Sequence, residues 1–169
     1  MMVEVKILSS GDKISYKGLI DLKGVYDNFT TWIGNNGYDS LEKETHENID
    51  KDGKEVFIKH EPFIEISEYA LVSMTIVIKG YNLKPKVVQR EGIKRRYLEG
   101  KVEISIDSFL VTDRQGKWSG NPLYFFIRTM IDIFFFKSTL TQYEERVIND
   151  KELLLKELRG YLNIQGVNS

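Results

Sequence analysis

Along much of the chain, apolar and polar residues alternate with a period of two, the pattern of strands that bury one face. Val3, Val5 and Ile7 alternate with Glu4 and Lys6. After the turn-forming Ser9-Ser10-Gly11-Asp12, the alternation resumes at Ile14, Tyr16, Gly18 and Ile20. The start is therefore either a hairpin or the lead into one strand. Ser40–Ile49 and Lys54–Ile66 flank Asp52-Gly53, a strong two-residue hairpin signal. A turn at 52–53 pairs Lys51 with Lys54, Ile49 with Val56, Thr45 with His60 and Leu41 with Ile64, so apolar residues meet on one face. Ala70, Val72, Met74, Ile76 and Ile78 form the next inner face, which requires an odd-length loop or a bulge near Ser67-Glu68. Tyr81 to Arg96 reads as a long loop containing Pro85 and Gly92. Leu98, Val102, Ile104, Ile106 and Leu110 then face the core, with Glu99, Lys101, Glu103, Ser105 and Asp107 opposite.

Three stretches change to the helical period. Asp21 is a plausible N-cap for a helix whose face is Leu22, Val25, Tyr26, Phe29, Trp32 and Ile33. Gly34-Asn35-Asn36-Gly37 ends it, and Gly24 inside it suggests close packing on a strand. Asp113 to Lys117 reads as a turn into a second helix, Asn121–Val147, which opens with Asn-Pro. Leu123, Phe126, Ile127, Met130, Ile131 and Phe134 recur there at helical spacing, and further aromatics widen the stripe almost all round. Such a helix is either sandwiched in a core or covered by a partner. A last helix is expected from Asn149, with Glu152 completing a variant capping box and Leu154, Leu155, Leu158, Tyr161 and Leu162 on one face. The predicted fold class is α+β: an antiparallel meander with one polar face, and helices, including a C-terminal helix pair, on the apolar face. One domain is expected over residues 1–164, with 165–169 a flexible tail.

With 169 residues the chain is long enough to bury a core without metal or disulfide support. It contains no cysteine, which excludes thiol chemistry and cysteine metal sites. A net charge of −1 removes any global attraction to polyanions but leaves local patches open. The N-terminus lacks the apolar core of a signal peptide. The most hydrophobic run, 122–136, is too short for a transmembrane segment and contains Arg128 and Asp132. A cytoplasmic, soluble protein is the expectation.

No catalytic signature emerges. The expected register places His46 on the polar face and His60 on the apolar one, so the two should not converge on a metal. Glu42, Glu44, Glu47, Glu61, Glu65, Glu99, Glu103 and Asp107 alternate with lysines, which points to cross-strand ion pairs rather than acid–base pairs. No glycine cluster matches a phosphate-binding fingerprint, and no serine sits in a nucleophile elbow. Two features suit partners. Lys84, Lys86, Arg90, Lys94, Arg95 and Arg96, opposed only by Glu91 and flanked by Tyr81 and Tyr97, could hold phosphate or an RNA backbone. Phe125, Phe135 and Phe136 are the aromatics expected at a partner surface.

Two stretches, YKGLIDLKGVYDNFTTWIGNNGYDSLEKE (16–44) and GKWSGNPLYFFIRTMIDIFFFKSTLTQYEERV (116–147), resemble small uncharacterised archaeal proteins of similar length. In these a Trp-containing helix ending in Gly-Tyr, a charged meander and a terminal helix pair recur. The order strand, helix, meander, long helix is also similar to the helix-grip (START-like) fold, which implies a ligand cavity between sheet and long helix. The first expectation is a non-enzymatic binding or assembly domain with no cofactor, acting through a protein partner or as a homo-oligomer. The alternatives are a helix-grip-like module with a small apolar ligand between Val72, Met74, Ile104, Ile106 and the long helix, and an RNA- or phosphate-binding protein using the 84–96 loop.

Overall fold

The computed structural model describes residues 4–68, 70–112 and 122–167. The side chains of 41–43, 90, 122–129, 131–136 and 164–167 lie outside that description. Seven elements follow in order: β1 (Glu4–Ile20), α1 (Leu22–Asn35), β2 (Asp39–Asp50), β3 (Gly53–Glu65), β4 (Ala70–Arg90), β5 (Ile93–Thr112) and α2 (Pro122–Val167). The five strands form one antiparallel sheet in the order β1-β5-β4-β3-β2, and both helices contact it. This is the expected α+β class.

The alternation in sequence places the core on one face of the sheet. Ile14, Ile104, Ile78 and Ile58 stand in register across four strands and are all buried. Val72, Met74, Ile76 and Ile106 extend that surface, and Val25, Phe29 and Ile33 of α1 join the same cluster. Asp21 caps α1 as expected: its Oδ1 accepts from the Gly24 backbone N at 2.9 Å. At the other end the Asn36 amide donates to the Trp32 carbonyl, and Gly37 has φ 75°. Gly24 packs against α2 rather than against a strand, since a Cβ there would collide with the Tyr161 hydroxyl.

Of the two readings of the N-terminal alternation, the structure has the single strand, with the Ser9–Asp12 cluster appearing as register shifts between Ile7 and Asp12. Other expectations are corrected. The β2–β3 turn is Lys51-Asp52, with Asp50 opposite Gly53, so Glu47 rather than Ile49 faces Val56. Ile49 is 78% exposed because the end of β2 pairs only with β3. The β3–β4 connection agrees with the odd-length expectation, with Glu65 opposite Leu71 and Ile64 opposite Val72.

The expected C-terminal helix pair is a single helix of 46 residues, about 70 Å long. Nothing between Val147 and Lys151 breaks a helix, and Asn149 and Asp150 cost only tenths of a kcal/mol there. Tertiary contacts outweigh that cost: Val147, Lys151, Leu154, Leu155, Leu158 and Leu162 make one continuous buried stripe. Met130, on the stripe expected in a core or beneath a partner, is 41% exposed. Among the described residues, no helix is long and apolar enough to cross a membrane.

Candidate functional site

The expected 84–96 loop is the end of a β-hairpin. Lys84 faces Glu99, and pairing continues without interruption to Arg90 and Ile93. Glu91 and Gly92 form the turn with φ of 49° and 79°, the doubly positive combination of a type I′ turn. Beyond Leu83, β4 has lost its β3 partner, whose last pair is Lys54–Leu83, and β1 leaves β5 at Ile20–Leu98. Residues 84–97 are therefore a two-stranded ribbon reaching about 20 Å past the sheet.

A bulge at the base of this ribbon sets its direction. Register shifts between Tyr81 and Lys84, and Asn82 takes φ 52°. The backbone around Asn82 is gripped from both neighbouring strands. A Cβ on Gly53 would lie 2.8 Å from the Asn82 carbonyl carbon, and one on Gly100 would lie 2.8 Å from the Tyr81 oxygen. Only glycine permits so close an approach. Leu83 turns inward and is 1% exposed, which anchors the ribbon to the core.

The pairing distributes the cations over both faces. Lys84, Lys86 and Arg95 share the face that continues the outer side of the sheet, while Lys94 and Arg96 share the opposite one. All five are exposed; the Arg90 side chain lies outside the description. Lys86 is paired with Glu99 at 2.9 Å. Tyr97 is opposite Lys86, and the Tyr81 ring carries the Lys101 ammonium 5.8 Å from its centroid. A hydrogen bond to Glu103 holds the Lys101 ammonium above the usual lysine pKa, and the same contact lowers Glu103. Val87 and Ile93 are exposed near the tip.

The histidines do not converge. His60 is buried, its ring 5.5 Å edge-on from Phe29 and its Nδ1 2.7 Å from the Ser40 hydroxyl; His46 is exposed beside Glu44. Among the described residues no three potential ligands gather around a metal position. The strand carboxylates sit in ion pairs: Glu47–Lys54 at 2.8 Å, Glu61–Lys59 at 3.0 Å and Glu103–Lys101 at 2.7 Å.

Two polar clusters went unread in the sequence. Lys151 is fully buried, and its ammonium donates to Asp12 Oδ2 and Ser9 Oγ at the β1 bulge. Its position is detectable in retrospect: it lies one turn from both Val147 and Leu155, in the middle of the apolar stripe. The Tyr38 hydroxyl donates to Asp150 at 2.7 Å, and Arg146 donates to the Asn36 carbonyl at 2.7 Å. Burial, reinforced by the Asp150 bond, pushes the Tyr38 pKa far above the usual tyrosine value. Both clusters tie α2 to the rest of the fold.

Val72, Met74, Ile104 and Ile106, the expected cavity wall, are fully buried in the common core. Among the described residues, open recesses lie elsewhere. One of about 290 Å³ runs between β1 and α2 at Ile14, Tyr16 and Leu162, and one of about 520 Å³ between α1 and α2 at Asn28, Trp32 and Tyr161. The expected partner surface at Phe125, Phe135 and Phe136 lies outside the described side chains. Compared with known proteins, the chain matches no protein-family model, and no curated protein or solved structure is similar to it.

Proposed function

We propose that the chain is a non-enzymatic binding domain whose β4–β5 ribbon docks on the phosphate backbone of a nucleic acid. The observation that carries this reading is the ribbon: exposed cations at fixed register positions on both faces of a two-stranded arm that extends past the sheet. A loose loop must lose conformational entropy when it binds, whereas a preformed ribbon has lost most of it on folding. A two-stranded ribbon is also narrow enough to enter a groove, where its two faces meet opposite phosphate walls. Tyr97 on the same ribbon supplies a surface for stacking on an unpaired base.

The test is binding of a short fluorescent RNA oligonucleotide and a DNA duplex, followed by anisotropy at increasing salt. Affinity should fall steeply with salt and drop at least tenfold in Arg95→Gln/Arg96→Gln, because each lost phosphate contact removes a counterion-release contribution. Weak binding that is indifferent to both salt and this double variant would remove the reading.

A further inference from the structure

The outer face of the sheet is charged over its middle, and at one end it is apolar across β1, β5 and β4, where the rows run out to Glu65 and Asp39. Val5 of β1 stands opposite Val111, and Val111 opposite Leu71; in the next row Ile7 stands opposite Phe109, and Phe109 opposite Ser73, which faces Phe63. Leu110 and Val72, the alternate neighbours, are buried in the core, so this apolar row points away from the helices. Val5 and Ile7 are 57% and 63% exposed. They lie on β1, which among the described residues pairs with β5 alone and has no strand on its other edge.

We propose that this edge pairs with a second copy of the chain, β1 against β1 in antiparallel sense about a two-fold axis through Val5. Charge complementarity favours that register: with Val5 opposite its own copy, Glu4 of each chain faces Lys6 of the other, whose ammonium also reaches Glu144 of its own α2 at 3.0 Å. A shift that centres Lys6 would instead place two ammonium groups face to face. The stretch Glu4–Ile7 is paired regularly with β5, and the bulges that blunt β1 begin only after Ile7. A two-fold axis perpendicular to the sheet keeps the helices of both copies on one side. It joins the two apolar rows into one surface across the seam.

Mass measured by light scattering over a concentration range tests the proposal. The unmodified chain should be a dimer that dissociates on dilution. Val5→Lys places two like charges at the axis and should give a monomer with an unchanged circular dichroism spectrum, since Val5 is exposed in the single chain. Glu4→Lys should weaken the dimer about tenfold, because a like charge then faces Lys6 of the other copy, with the circular dichroism spectrum unchanged. A monomer at every concentration overturns the proposal and leaves the edge to a different partner. A dimer indifferent to Val5→Lys also overturns it, because assembly would then use another surface.

Discussion

Lys151 lies fully out of solvent, and an ammonium there is tolerable because Asp12 and Ser9 meet it closely and Glu152 stands 3.6 Å away. The two partners are not equivalent. Asp12 is 46% exposed and can be rehydrated, whereas Lys151 cannot. Asp12→Ala should therefore cost about 3 kcal/mol by stranding a buried charge, while Lys151→Met should be close to neutral, since the thioether fills the space and Asp12 returns to water. Urea midpoints of the two variants check this, and equal losses would contradict it. Tyr38 gives a pH signature. Its pKa is raised in the folded state, so the folded chain holds the phenolic proton more tightly than the unfolded one. That contribution is complete below about pH 10, the ordinary tyrosine value, and is lost as pH rises beyond it. Tyr38→Phe should cost about 1 kcal/mol at neutral pH and flatten the fall in the denaturation midpoint above pH 10.

At the scale of elements, the base and the tip of the ribbon should respond differently to glycine replacement. Gly100→Ala pushes a methyl group into the Tyr81 and Asn82 carbonyls inside the sheet and should cost about 2 kcal/mol of global stability. Gly92→Val strains a turn whose strands pair with nothing else, so it should leave the denaturation midpoint nearly unchanged while amide exchange quickens across 84–97. The period-two pattern made the strands legible wherever one face was buried: the inner positions of β4 and β5 could be read residue by residue. It failed where neither face is buried. The ribbon has no alternation because both sides are solvated, and Pro85 with a run of cations looks like a loop. Glu91-Gly92 is a weaker turn signal than Asp52-Gly53, yet the first forms the two-residue turn at its own position and the second slips by one residue. The helix pair was misread because a local preference, an asparagine suited to capping, was outweighed by a continuous buried stripe. The outer apolar row escaped notice because its members lie on four strands, and only the register brings them together.

The whole molecule is electrically divided. Six cations against Glu91 alone leave the 84–96 segment five positive charges ahead, so a chain of net charge −1 carries −6 elsewhere. On the proposed reading, a polyanion is drawn to the ribbon and repelled by the body, which restricts the contact to what the ribbon can reach. That restriction fixes the size of the salt effect. With Lys86 already held by Glu99, the sequence of the segment leaves five further cations. A duplex engaging all of them gives a slope of log affinity against log salt of about −4.5, and a single strand about −3.5. Arg95→Gln/Arg96→Gln should bring the duplex slope to about −2.7, whereas a control that removes a cation from the outer sheet, Lys59→Gln, should leave it unchanged. A wild-type slope much steeper than −4.5 would mean that the body also touches the phosphates, which its charge opposes. The slope thus measures the ribbon's footprint independently of how tightly any particular sequence binds.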